Sequence, residues 1–210
     1  MITEKEIKIL KDKLNFELNK ETTEKLNLWA KAFVEYNSHT NLMSKNDTEV
    51  LFEKHVFDSL GILNWKDFKN HKTILDVGCG GGFPSVILAI CFPEMKIIAN
   101  DSRIKKINFI KEIKQKLNLE NLEVLYSRIE DVSPLHVDLI VSRAVGKMID
   151  VWELSKKHLI KQGDFLIYKS KLSKDEIELF KKKYQKANFE IIPYELPLKE
   201  QFERNLIVLN

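Results

Sequence analysis

Three short stretches of the chain carry residues whose types and spacing could do chemistry. The first is Asp76-Val77-Gly78-Cys79-Gly80-Gly81-Gly82-Phe83-Pro84, which follows an apolar run and opens a helical one, as a nucleotide-binding turn does. Glycines admit positive φ and let a ligand approach the backbone, and Pro84 suits the first turn of a helix. A dinucleotide fingerprint needs glycine at the sixth position, where Phe83 stands, and the Lys-Ser/Thr pair of a P-loop is missing. The second stretch is Asn100-Asp101, nineteen residues beyond Gly82. A carboxylate there can accept both ribose hydroxyls, or cap the next helix together with Ser102. The third is Val141-Ser142-Arg143-Ala144, the end of a fourth strand, where ligands of open α/β sheets gather.

An Asp-x-Gly-x-Gly-x-Gly loop resembles the S-adenosylmethionine loop of class I methyltransferases, whose cofactor has no phosphate to cradle. The stretch Ser127-Arg128-Ile129-Glu130-Asp131 then faces the adenine, with Ile129 packed on the ring. The methyl acceptor is narrowed by exclusion. No Asn/Asp-Pro-Pro-aromatic motif of amino-group methylases exists, and Cys79 and Cys91 lie too early in the chain to be a C5-methylase nucleophile. They are expected to be small, buried residues. Asp138 sits at the wrong strand end for a ribose methylase. An acceptor that needs no base is left, and guanine N7, a lone pair bearing no proton, is such an atom. Attack on the sulfonium methyl then depends on positioning and electrostatics.

These residues need a scaffold. Ile7, Leu10, Leu14 and Leu18, then Leu26, Trp29, Phe33 and Tyr36, recur at helical spacing, and a third helix is predicted from about Asp47 to Gly61. From residue 73 the rhythm becomes strand–helix: Thr73–Val77 and Pro84–Phe92, Lys96–Ala99 and Ile104–Leu117, Leu122–Tyr126, Val137–Ser142 and Lys147–Ile160. Phe165–Tyr168, a helix over Asp175–Lys186, and the runs Phe189–Pro193 and Arg204–Leu209 follow. The expected fold is α/β: a class I, Rossmann-like methyltransferase with a mostly parallel, doubly covered sheet and a C-terminal antiparallel hairpin. Residues 1–65 are expected to form a helical cap and residues 66–210 the methyltransferase domain.

The 210 residues are 44% hydrophobic and 31% charged, ordinary globular usage, which excludes a disordered or fibrous chain. A net charge of +3 does not by itself mark a nucleic-acid binder. The scattered histidines offer no metal spacing. The longest apolar run, Val86–Phe92, is seven residues, and the N-terminus has no signal-peptide core. A soluble, cytoplasmic protein with no membrane association is expected.

Taken together, the chain resembles the bacterial 16S rRNA guanine-N7 methyltransferases (the RsmG, or GidB, family) over nearly its full length. The matching stretches are Tyr36-Asn37 with Asn41-Leu42, His55-Val56-Phe57-Asp58-Ser59-Leu60, the Asp76–Pro84 loop, and Asp101-Ser102 with Lys105-Lys106 and Phe109-Ile110. Arg128-Ile129-Glu130, Ser142-Arg143-Ala144, Lys169 and Arg204 complete the set. The resemblance implies S-adenosylmethionine as cofactor and methylation of guanosine 527 (rRNA numbering) in 16S rRNA. It places family cofactor contacts on Gly78, Phe83, Ile129, Glu130 and Arg143. The family usually has Gly at Ser85 and Ser170, Ser or Thr at Cys79, Arg at Lys106 and an apolar residue at Asn100.

Asp76, Gly78, Gly80, Gly82, Phe83, Asp101, Ile129, Glu130 and Arg143 are therefore the expected cofactor site. Arg143 is the expected positioning residue at the reaction centre, with no general base and no metal. His55 and Asp58, three apart on one helix face, either dock the cap on the core or touch RNA. Lys105, Lys106, Lys147, Lys169 and Arg204 are expected along an RNA path, where a few phosphate contacts suffice. The expected partner is 16S rRNA within the 30S subunit or an assembly intermediate, with no obligate protein partner. A small-molecule methyltransferase and a non-catalytic RNA-binding assembly factor stay open as alternatives.

Overall fold

The computed structural model describes residues 2–40, 42–143, 146–170, 174–185 and 187–209, without the side chains of Lys45, Asn46 and Lys174. Asn41, Ala144 and Lys186, which figured in the sequence reading, lie outside the described residues.

Helices α1 (Glu4–Leu14), α2 (Lys20–Thr40), α3 (Lys45–Glu49), a π-helical turn Phe52–Phe57 and α4 (Asp58–Leu60) precede the sheet. Then β1 (Thr73–Val77), α5 (Ser85–Cys91), β2 (Lys96–Asp101), α6 (Ile104–Leu117), β3 (Leu122–Tyr126) and β4 (Val137–Arg143) alternate. They are followed by α7 (Met148–Ser155), β5 (Leu159–Lys169), α8 (Lys174–Lys183), β6 (Phe189–Glu195) and β7 (Glu203–Leu209). The strands form one sheet in the order β3-β2-β1-β4-β5-β7-β6. The first five are parallel; β7 runs antiparallel to β5, and β6 to β7. The class I methyltransferase fold with its C-terminal hairpin is as expected.

Alternation along the strands explains why both faces are covered. In β1, Ile74 enters the core under α5 and α6, while Leu75 and Val77 enter the core under α7 and α8; Leu166 and Ile167 of β5 divide the same way. The helical N-terminal segment adds Leu10, Leu26, Trp29 and Phe33 to the first of these cores. Successive crossovers leave β1 on opposite sides toward β2 and β4, so the carboxyl ends of β1, β2 and β4 stand level: Val77 pairs with Asn100, and Asp76 with Val141. That reversal of strand order opens a crevice above the sheet.

Three elements depart from the sequence reading. The helix predicted over 47–61 is broken: α3 ends at Glu49, and Phe52–Phe57 is π-helical. The Lys54 carbonyl within this turn accepts from Arg143 Nη1 at 3.2 Å. Gly61 is not a left-handed cap. Its φ is −54°, and a Cβ there would lie 2.5 Å from the Tyr194 ring, so glycine is needed for close approach. The helix predicted over 147–160 ends at Ser155, and β5 begins at Leu159. The β4–β5 register shifts between Val137 and Leu139, which let the polar Lys161-Gln162-Gly163 hide the strand's start. Among the described residues, no helix is long and apolar enough to cross a membrane.

Candidate functional site

The glycine loop leaves β1 and is bound at once to β2: the Gly78 and Cys79 amides both donate to the Asn100 carbonyl at 2.9 Å. Gly78, Gly80 and Gly82 have φ of +73°, +57° and +91°. At Gly82 a side chain is barred twice over, since a Cβ would also meet Val86 Cγ2 at 2.4 Å. The Asn100 amide donates to the carbonyls of Leu125 and Ser127, tying the end of β2 to the turn that carries Ile129.

Two clefts flank the loop. One of 460 Å³ is lined by Gly78, Asp101, Ser102, Ile129, Glu130 and Leu154 among others. One of 200 Å³ is lined by Gly78 to Gly81, Phe83, His55, Arg103 and Arg143, with Leu42 and Met43 on its other side. The first has a buried apolar residue, Ile129, and a carboxylate, the pair a nucleoside needs. The second offers a guanidinium and bare backbone on the scale of an amino-acid tail. Together they fit S-adenosylmethionine: Asp101 would hold the ribose, Ile129 and Glu130 the adenine end, and the loop and Arg143 the tail.

Asp101 does not stand free. Its Oδ1 accepts from the Arg103 amide at 2.8 Å and Nε at 3.1 Å, and its Oδ2 from the Gly80 amide and Arg103 Nη2, each at 3.0 Å. Although burial works against the charged form, these bonds and the Arg103 charge hold its carboxyl below the usual range. All of its roughly four lone-pair positions are taken, so a ribose must displace part of the Arg103 fork. That side chain is 64% exposed. Sequence reasoning assigned Arg103 no role; its scarcity among only four arginines was the available signal.

Arg143, at the end of β4, is fixed from three sides. Nη1 donates to the Lys54 carbonyl and, at 2.9 Å, to Asp58 Oδ2; Nη2 donates to His55 Nδ1 at 3.0 Å. Its guanidinium lies 4.8 Å from the Phe83 ring centre. Asp58 also takes a two-pronged bond from Arg204 and the Tyr194 hydroxyl at 2.5 Å. Burial opposes its charge, but the two guanidiniums outweigh this and hold the carboxyl below its ordinary value. His55 is pushed down to about 3, first by burial and then by Arg143. Phe83 packs edge-on to Trp29 and Phe33 of α2, so the N-terminal helices brace one wall of the smaller cleft.

Several predicted residues are placed elsewhere than expected. Asp76 lines neither cleft: it is fully buried, its Oδ2 accepts the Ser85 amide at 3.1 Å, and burial raises its carboxyl to about 7. It anchors the base of the loop, and Gly82 likewise lines neither cleft. Asp58 and Arg204 lie in the buried cluster that docks the N-terminal helices on the sheet, one of the two roles left open for Asp58, and Asp58 is shared there between Arg143 and Arg204. Lys106 is half-buried: its ammonium donates to the Leu42 carbonyl, and Asn37 holds Met43 by two bonds, so these groups pin the 42–43 segment beside the smaller cleft. Lys169 pairs with Glu176 at 2.8 Å and the Gly146 carbonyl, closing β5 onto α8 instead of facing outward. Lys105 and Lys147 are exposed. Cys79 and Cys91 are buried free thiols, as expected. Tyr194 and the Lys54 carbonyl were missed; a tyrosine in a late strand and a backbone oxygen carry no local signal.

Comparison with known proteins agrees with this geometry. Residues 22–207 match the GidB family, described as rRNA small subunit methyltransferase G. A ribosomal RNA small subunit methyltransferase G of Mycoplasma capricolum subsp. capricolum is 36% identical over 85% of this chain and 78% of its own. Its counterpart in Oceanobacillus iheyensis is 31% identical over 100% of this chain and 91% of its own. Among solved structures, a precorrin-6y C5,15-methyltransferase from Geobacter metallireducens GS-15 shares the fold. Its TM-score is 0.56 with 13% identity, covering 80% of this chain and 90% of that one. With a crevice fitted to S-adenosylmethionine and a match across most of its length, the chain belongs to the rRNA small subunit methyltransferase G family, S-adenosylmethionine-dependent enzymes of small-subunit rRNA.

Proposed function

We propose that the chain transfers a methyl group to N7 of a guanosine in 16S rRNA, by family resemblance guanosine 527, within the 30S subunit or an assembly intermediate. The observation that carries this reading is the lack of a proton acceptor among the described residues of the cleft beside Arg143, at the end of β4. Of the described residues lining the smaller cleft, only His55, Cys79, Arg103 and Arg143 ionise. His55 has its Nδ1 occupied and stays neutral at physiological pH, burial pushes the Cys79 thiol well up, and the arginines are permanent cations. Acceptors that must lose a proton would find no base here; guanine N7 has none to lose.

When bound, S-adenosylmethionine supplies a methyl group on a positively charged sulfur. The chain's residues orient and exclude. Asp101 takes the ribose hydroxyls as Arg103 yields, Ile129 backs the adenine, and the braced Arg143 fixes the strand-end charge where the base arrives. The pinned 42–43 segment and Phe83 keep water from one side of the cleft. Exposed Lys105 and Lys147, at the carboxyl side of the sheet, supply phosphate contacts that set register without reading sequence.

The test is nucleoside mass spectrometry of 16S rRNA from cells with and without the gene. N7-methylguanosine is expected to vanish at the target on deletion and return on complementation. Its persistence in the deletion strain would refute the proposal.

A further inference from the structure

Among the described residues lining the smaller cleft, His55 has a buried ring nitrogen with no partner in the protein. An arginine can only donate hydrogen bonds, so the 3.0 Å contact from Arg143 Nη2 forces His55 Nδ1 to be an unprotonated acceptor. A neutral imidazole carries its proton on the other nitrogen, so Arg143 fixes the Nε2–H tautomer. That Nε2 is buried and meets no partner in the protein. Buried donors left unmet are uncommon, because each forfeits its hydration. The ring is held in place by Phe83, 4.8 Å away between centres, and it lines the cleft beside the Gly78–Gly81 backbone.

We propose that the His55 Nε2–H donates to the carboxylate of the cofactor's amino-acid tail, so that His55 and Arg143 form the clamp for that end. This rests on reading the two clefts as one S-adenosylmethionine site, and it gives His55 a cofactor role within that site. The larger cleft, with Asp101 and Ile129, has the carboxylate that diols need. The smaller is where an anion meets fixed donors: a guanidinium already short of its full charge balance, since Asp58 is shared between Arg143 and Arg204, and a neutral N–H beside it. A neutral donor suits the place, because a second cation beside Arg143 would be repelled.

The test compares two ligands by titration calorimetry on the full chain: S-adenosylhomocysteine, and 5′-methylthioadenosine, which keeps the adenosine and sulfur but has no amino-acid tail. His55→Phe keeps a flat ring and removes the donor. It is expected to weaken S-adenosylhomocysteine by about 10–100-fold, the usual worth of a bond to a charged group, and methylthioadenosine by less than about twofold. His55→Gln, whose amide reaches as far as Nε2, is expected to recover most of the loss. Equal effects on both ligands, or none on either, would overturn the assignment. A second measurement needs no variant: the imidazole N–H resonance of the wild-type chain is expected to shift downfield with S-adenosylhomocysteine and not with methylthioadenosine. Identical responses would again overturn it. Wild-type protein that binds neither ligand would instead overturn the cofactor reading, and this assignment with it.

Discussion

At the scale of single residues, the site is governed by competition for a few carboxylates. Asp101 is bound by Arg103 on both oxygens, and in the proposed site a ribose would take over some of those positions. Removing the competitor, Arg103→Ala, is therefore expected to tighten S-adenosylhomocysteine binding by about three- to tenfold, measured by calorimetry; weaker binding would show that Arg103 holds the ligand instead. Asp76 presents the opposite case. Its Oδ1 has no partner and burial lifts its carboxyl to about 7, from an ordinary 3.8. A folded-state value above the unfolded one means that stability from this group is full below about 4 and declines as pH rises toward 7. Asp76→Asn cannot lose a proton, so urea denaturation at pH 5 and pH 8 should show the variant gaining on the wild type at the higher pH. Parallel pH dependence would contradict the buried-carboxyl account. Neither feature could be read from sequence. Asp76 and Asp101 both precede turns at strand ends, and only the third dimension shows that one lines the cleft and the other lies beneath the loop.

At the scale of elements, one of the contacts that join the N-terminal helices to the sheet is a close approach of backbone to ring. Gly61 leaves space for the Tyr194 ring, and the Tyr194 hydroxyl reaches Asp58. Gly61→Ala should destabilise the fold by about 1–3 kcal/mol through overpacking, and Tyr194→Phe by about 1.5–3 kcal/mol for the lost bond to a carboxylate. Gly61→Ala combined with Tyr194→Ala should cost less than the sum of the two singles, because the clash needs both partners. Strict additivity in denaturation would place the clash elsewhere. A second fastening joins the turn before β1 to β5: His71 faces the Phe68 carbonyl at 3.0 Å and Asp164 at 2.8 Å. Both ring nitrogens meet acceptors, so although burial disfavours the cation, the bonds to Asp164 and Phe68 raise the imidazole above 6.5. Its contribution is full below that value and lost as pH rises through the raised one. The stability gap between wild type and His71→Gln should shrink from pH 6 to pH 9. The strand–helix alternation was legible because apolar runs and turn residues are local, and β1 and β3 fall within their predicted bounds. The π turn and the early start of β5 were not, since each exists to meet a partner distant in sequence: Arg143 for the turn, β4 for the strand.

At the scale of the whole molecule, a small net charge has to serve an RNA substrate. Of the five cations expected along an RNA path, Lys106, Lys169 and Arg204 are engaged inside the protein, while Lys105 and Lys147 are exposed. Positive charge in the sequence was visible; whether it faced solvent or a buried carboxylate was not. Replacing Lys105 and Lys147 together by alanine is expected to lower the slope of log binding constant against log salt by about 1.5, without changing the calorimetric affinity for S-adenosylhomocysteine. An unchanged slope would mean that the RNA runs elsewhere. The most direct measurement of the central claim is methyl transfer from labelled S-adenosylmethionine to 30S particles and to naked 16S rRNA, with the product base mapped. The expected result is one label per small subunit, on guanine N7 at a single position, lost in Arg143→Lys, which keeps the charge but not the fork. Label on a metabolite instead of RNA, on another atom of the base, or none at all would contradict it.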